Sequence, residues 1–381
     1  MSVRVTEPDR SGPLFEDDRL KLGLFGFNIT AAGALSRSKD RHEISWQQNV
    51  DLVRQAEAAG FEAAIPISRW RGFEGETNPW GQSFESYTWA SGLAALTERI
   101  SIFATSHALT MSPLLAAKQI ATADHISGGR MGLNVVAGWF EKELRMFTAK
   151  SLGHDERYDY LDEWLEVVLR LWERNGVDYA GRHVQIQDGY LEPKPLQNPR
   201  PPIMNAAFSP RGHETAAKYA DIAFVGAHDP HSAQKQVAEI RKMAASHGRT
   251  VQVWAATSVI CAETDEAAAA LVERYRGPDA DMPAVENAVD WTMGAQMTPD
   301  LREVIKAGLA STMGGYPLIG SPETIADEIG RMADAGIDGI CQTFMNYEAG
   351  LPLFVSEILP LLEKKRLRPA RAAAAGEGGQ A

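Results

Sequence analysis

The strongest constraint in this chain is a rhythm: short apolar runs alternate with longer stretches whose apolar residues recur at helical spacing. The runs Lys21–Asn28, Ala63–Ser68, Ser101–His107, Met131–Ala137, Pro202–Phe208, Asp221–Gly226, Val251–Ala262 and Gly339–Phe344 read as strands. Between them lie helix signals. Ser45 and Gln48 form a capping box ahead of a helix that Gly60 stops, and Ser321 with Pro322 opens another that runs to Ala335 and ends at Gly336. Further helices are predicted at Glu85–Leu96, Pro113–Ile126, Pro210–Tyr219 and Pro230–His247, and one ends near Glu363. Arg157–Trp172 gathers Leu161, Trp164, Leu165, Val168 and Leu171 on one face. Strands that alternate with helices imply a parallel sheet, and eight such units favour a closed TIM-type (β/α)8 barrel. The rival, an open dinucleotide-binding sheet, requires a GxGxxG turn after an early strand, and the sequence has none.

The barrel is expected over residues 21–363, preceded by an N-terminal extension, 1–20. Residues 277–316 interrupt the rhythm, with one helix expected near Asp300–Leu309. A long segment of this kind in a compact barrel reads as an insertion or lid before the last βα unit. Residues 364–381, Ala/Gly-rich from Pro369 onward, are expected to form a disordered tail.

Composition narrows the function. A net charge of −12 argues against nucleic acid and anionic membrane surfaces as partners. No window approaches 18 consecutive apolar residues, and the start of the chain lacks a basic segment followed by an apolar run. The two cysteines, Cys261 and Cys341, have no paired spacing, so a disulfide framework is excluded and a cytoplasmic location is expected.

Active sites of such barrels lie at the C-terminal ends of the strands. Those ends supply Asn28, Ser68, Arg69, Thr105, His107, Asn134, Trp139, Ser209, His228 and Asn346. Asn134 is polar within an apolar strand; it either meets a bound molecule or is satisfied within the barrel packing. Arg157 and Tyr158 open a helix, and so does the segment Ser209–Gly212. Each is either a phosphate site or a solvated helix start. His107, His228 and His231 match no metal-binding spacing and read as bases, ligands or structural residues, so no metal site is expected.

Three segments then carry a family resemblance: Ile126–Trp139, His154–Tyr160 and Leu191–Pro195. In this order and at these separations they resemble the bacterial luciferase-like flavin monooxygenases, over about Lys21 to Leu362. Arg71-Gly-Phe and Glu85–Thr97 resemble the pyrimidine monooxygenases within that family. The segments around Trp139, His154–Tyr158 and Lys194-Pro195 look equally like dimethylsulfone monooxygenases, with the alkanesulfonate enzymes a more distant match. The resemblance implies a two-component enzyme: FMN, reduced by a separate NAD(P)H-dependent flavin reductase, with O2 as co-substrate and a homodimer or homotetramer as the assembly.

It also implies FMN-binding roles for Ser68, Arg69, Asn134, Glu143, Arg157, Tyr158 and Ser209, and an oxygen pocket formed by Ile65, Thr105, Asn134 and Trp139. Ser68 and Arg69 depart from the pyrimidine branch, which has an apolar residue and Lys there. His228 is not expected from these relatives, and together with Arg71 and His107 it is a candidate for substrate binding. Carbon–sulfur oxidation of a sulfone or sulfonate is the expected reaction, with pyrimidine (uracil) ring opening as the alternative. A barrel using the deazaflavin F420, or one holding flavin without turnover, are further alternatives.

Overall fold

The computed structural model describes residues 5–8, 12–16, 20–147, 152–292 and 298–369. Eleven strands are present among them: β1 (Lys21–Phe25), β2 (Ala63–Ile65), β3 (Ser101–His107), β4 (Met131–Val136), β5 (Val177–Ala180), β6 (Gln185–Gly189), β7 (Ile203–Ala206), β8 (Ile222–Val225), β9 (Gln252–Cys261), β10 (Tyr316–Gly320) and β11 (Gly339–Phe344). Eight of them, β1, β2, β3, β4, β7, β8, β9 and β11, pair in parallel in that order, and β11 returns to β1. This closed ring, wrapped by helices, is the TIM-type barrel expected from the alternation.

The eight predicted runs all contain a ring strand. The second is shorter than expected, because Pro66 has no N–H to continue the ladder and the chain beyond it is fastened by side chains. Asn28 Nδ2 donates to Ile67 O at 2.8 Å, and Ile67 N donates to Asn28 Oδ1 at 2.9 Å. Two features were not legible in the sequence. β5 and β6 form an antiparallel hairpin outside the barrel, and β10 pairs in parallel with the C-terminal half of β9. β9 can serve β8, β11 and β10 because it is ten residues long.

The apolar core has two parts. One fills the space between the ring and its helices, with Trp89, Trp164 and Phe27 among its buried rings. The other fills the barrel and includes Ile65, Phe103, Met204, Phe224, Trp254 and Cys341. Successive strand residues alternate between these two environments. Leu14 and Phe15 join the interior cluster, so part of the N-terminal extension packs into the barrel. Buried ion pairs fasten residues far apart in the chain. Asp221 receives Arg200 at 2.6 Å and Arg249 at 2.7 Å, and Glu62 receives Arg368 at 2.9 Å. Arg368 therefore corrects the expected tail: the chain remains packed to at least that residue, and 370–381 lie outside the described residues.

The interrupting segment contains two helices, Met282–Thr292 and Pro299–Thr312, the second covering the one expected near 300–309. The first docks over the barrel mouth. Asp281 accepts from the backbone N–H groups of Glu76 and Thr77, and Asn287 Nδ2 donates to Phe73 O. Residues 293–297 of the expected lid lie outside the described residues. Among the described residues, no helix is long and apolar enough to cross a membrane.

Candidate active site

The strand register places Thr105 opposite Asn134, so both side chains share one level of the barrel. They form a hydrogen-bonded relay. Backbone Thr105 N donates to Ser86 Oγ at 2.6 Å, and Thr105 Oγ1 donates to Pro66 O at 2.6 Å. With its proton so committed, Thr105 Oγ1 accepts from Asn134 Nδ2 at 2.9 Å. That fixes the amide and leaves Asn134 Oδ1 buried without a hydrogen-bond partner among the described residues. Such an orphaned acceptor costs about 1–3 kcal/mol unless a donor reaches it. Ile65 lies deeper, within the apolar filling of the barrel.

Beyond β2, Ser68 is half-buried and Arg69 turns inward. The Arg69 guanidinium lies 3.0 Å from the Glu143 carboxylate, with side-chain exposures of 1% and 0%. Glu143 also accepts a short hydrogen bond from the backbone N–H of Trp70. The rings of Trp139 and Phe140 lie 4.7 Å from the Arg69 Cζ atom, that of Trp80 5.4 Å and that of Phe73 5.9 Å. Burial draws the Arg69 pKa down to about 10 against the pull of Glu143, and it raises that of Glu143 against the pull of Arg69. His107, also buried, is driven down to about 3 by desolvation and then by Arg69, so it is neutral near pH 7. Its Nδ1 has no hydrogen-bond partner among the described residues.

The aromatic wall continues outward. Phe140 stacks on Trp291 of the docked helix at 5.8 Å, and Trp70 meets Phe147 edge-on at 5.0 Å. A cleft of about 420 Å³ opens beside Ser68, Arg69 and Trp70, bounded by Gln82 to Ser86.

A second cluster joins the two segments that the sequence offered as phosphate sites. Ser209 caps the helix Pro210–Tyr219 by accepting from Gly212 N at 3.1 Å. Tyr158 lies over that helix start: a Cβ at position 212 would meet its hydroxyl at 2.7 Å and Ala207 Cβ at 2.5 Å. Arg211 holds the two helix ends together through Asp159 at 3.0 Å and Asp162 at 3.1 Å, so its charge is already matched. Arg157, in contrast, forms no ion pair with a described residue. A glycine-cleared helix N-terminus beside a tyrosine hydroxyl and a serine, with Arg157 next to that tyrosine in the chain, suits a phosphate monoester.

The candidate residues do not all converge. Arg71 pairs with Glu74 at 2.7 Å on the surface, and His228 is exposed on the loop that opens the helix Pro230–Ser246. Phe73, Trp80 and Trp291 were missed as site residues: Phe73 and Trp80 are loop aromatics that carry no periodic signal, and Trp291 belongs to a helix of the interrupting segment whose docking the sequence does not reveal.

The family model for luciferase-like monooxygenases matches residues 25–339. The pyrimidine monooxygenase RutA of Rhizobium rhizogenes is 34% identical over 349 residues, covering 88% of this chain and 94% of that protein. RutA of Serratia proteamaculans is 32% identical over 357 residues, covering 91% and 96%. In fold, the chain matches DmoA from Hyphomicrobium sulfonivorans (TM-score 0.80, 21% identity, 95% of this chain and 91% of that one). It also matches the long-chain alkane monooxygenase LadA (TM-score 0.80, 20% identity, 93% and 94%). The chain belongs to the luciferase-like monooxygenase family and is a flavin-dependent monooxygenase that uses reduced flavin and dioxygen on a small molecule.

Proposed function

We propose that this enzyme uses reduced FMN, delivered by a separate NAD(P)H-dependent flavin reductase, to oxidise and open a small nitrogen heterocycle of the pyrimidine class. The observation that carries the reading is the Ser86–Thr105–Asn134 relay, which ends in one oriented, unpaired amide oxygen among the strand ends. The substrate class is supported by the curated relatives, pyrimidine monooxygenases at 32–34% identity over most of the chain.

The residues fit the flavin. Arg157, Tyr158 and Ser209 would hold the phosphate at the helix start that Gly212 keeps clear, which is why FMN rather than riboflavin is proposed. Asn134 and Ser68 would face the ring system. Bound reduced flavin supplies the electrons that activate oxygen. The chain's own contribution is orientation and exclusion of water. Thr105 fixes the Asn134 amide so that Oδ1 is presented as an acceptor without reorganisation during the reaction. Phe140, stacked with both Trp139 and the docked Trp291, would help to exclude water from the site.

The expectation of carbon–sulfur oxidation loses weight for a physical reason. A sulfonate needs a convergent positive charge. Arg71 is paired on the surface, His228 is exposed, and Arg69 is neutralised by Glu143. The match to DmoA is one of fold alone.

The test is a substrate panel with a flavin reductase, NADH and FMN: uracil, dimethylsulfone and an alkanesulfonate, read by mass spectrometry of the ring-opened product and by sulfite release. Uracil consumption that depends on oxygen and FMN supports the reading. Release of sulfite with uracil untouched overturns it, and hydride transfer to F420 in place of FMN would end the monooxygenase mechanism with it.

A further inference from the structure

Arg69 carries hydrogen-bonding capacity that no described residue meets. Its side chain is 1% exposed, yet Nε, Nη1 and Nη2 all lack a hydrogen-bond partner among the described residues. Glu143 lies near enough to cancel the charge but not in line with an N–H, since its Oε2 is likewise without a hydrogen bond. A guanidinium carries five N–H donors in a planar fork, and buried donors are rarely left unmet. A second orphan adjoins it: His107, buried at the end of β3, has an unpartnered Nδ1 and is held neutral. Two polar side chains with unmet groups, one just beyond β2 and one at the end of β3, are thus near enough to interact, and the guanidinium lies among aromatic rings, with Trp139 and Phe140 each 4.7 Å from its carbon.

The chemistry of the missing partner follows. The Arg69–Glu143 pair is neutral overall, so the enclosure gives no electrostatic advantage to an anion. It offers N–H donors in a plane, between flat faces, to an uncharged carbonyl acceptor. The outer wall is able to yield: Trp139 is 38% exposed and follows Gly138, whose φ of +92° is a conformation that side-chain-bearing residues avoid.

We infer that Arg69 is the substrate-orienting residue of this enzyme, its unmet N–H donors taking the carbonyl oxygen of a flat, uncharged cyclic amide that enters past Trp139, with His107 completing the polar edge. The inference rests on the heterocycle reading above and adds the group that would recognise the ring.

The experiment compares wild type with Arg69→Lys, Arg69→Met and the double variant Arg69→Met/Glu143→Gln, which removes the donors without stranding a buried carboxylate. Circular dichroism and thermal melting establish that each variant folds. Uracil, the lactam 2-pyridone and the carboxylated orotate are titrated against tryptophan fluorescence in the flavin-free protein, and FMN is titrated separately. The expected result is quenching by uracil that weakens about tenfold or more in the double variant, the value of one to two hydrogen bonds. FMN affinity should stay within about threefold over the same change. Arg69→Lys should recover part of the uracil loss. With reductase present, the defect should fall on KM rather than kcat.

An equal loss of FMN and uracil affinity would overturn the inference by making Arg69 a flavin ligand. So would uracil binding that is indifferent to Arg69, or orotate binding tenfold tighter than uracil. Arg69-dependent quenching in a wild type that does not oxidise uracil would uphold the recognition role and end the ring-opening reading, so the two fail separately.

Discussion

Replacing Gly212 with alanine isolates the proposed phosphate site from everything else in the barrel. The added Cβ would stand 2.5 Å from Ala207 Cβ and 2.7 Å from the Tyr158 hydroxyl. Carbon atoms pack at about 3.5–4.0 Å, so roughly 1 Å of overlap must be relieved. Ala207 Cβ is fixed to its backbone, whereas Tyr158 is a half-buried side chain that can swing away. The overlap is therefore expected to displace the tyrosine and to push the helix start away from Ala207, with an overpacking cost of about 1–3 kcal/mol. A phosphate that loses a hydrogen bond to Tyr158 gives up about 1.5–3 kcal/mol, roughly ten- to a hundredfold in Kd. The assay is calorimetric titration of the variant with FMN and with riboflavin, which lacks the phosphate. FMN affinity should fall by at least about tenfold, and riboflavin affinity should change by less than about threefold. Parallel losses for both ligands would mean that the substitution disturbs the barrel generally. An unchanged FMN affinity would remove Tyr158 and this helix start from the phosphate site.

Three further outcomes are expected. Asn134→Ala should cut oxygenation by about a hundredfold or more, as removal of a positioned polar group does elsewhere, while the melting curve shifts little; wild-type turnover would end its role. Asp221→Asn should cost about 3–5 kcal/mol of stability, because the buried guanidinium groups of Arg200 and Arg249 lose their shared countercharge; urea unfolding measures it, and a change under 1 kcal/mol would refute the claim that the pair is interdependent. His107 should contribute acid sensitivity. Its folded pKa lies near 3 and its ordinary value is 6.5, so on falling pH the unfolded chain takes up the proton first and stability is lost across that window. His107→Gln should flatten that part of the pH–stability curve, and an unaltered slope would show that the imidazole is solvated.

The prediction for Gly212 also shows where sequence reading ends. Ser209–Gly212 and Arg157–Tyr158 were each legible as helix starts after a strand or loop, which made each a plausible phosphate site and neither a compelling one. The fold joins them, through Arg211 bonded to Asp159 and Asp162. The same arginine, which the sequence left as one element of a phosphate loop, turns out to be the fastener.

By itself the sequence determined the architecture. Eight apolar runs separated by capped amphipathic helices have few ways to bury their faces, and a parallel ring wrapped by helices is the one found. It also pointed to the C-terminal strand ends as the place for a site, and there Asn134 stood out because polarity inside a buried strand is a local signal, whereas Thr105 entered as a strand end and through the family resemblance. Only the tertiary structure decided which groups meet. Arg69 and Glu143 lie 74 positions apart and become an almost solvent-free pair; Arg71, two residues from Arg69, faces the surface. Nor could the sequence reveal β10, whose partner is the far half of β9, or the anchoring of Arg368 on Glu62. Periodicity records which face of an element is buried, through the repeating transfer of apolar side chains from water. Pairing between distant charges leaves no period, because it depends on where two elements come to rest against one another.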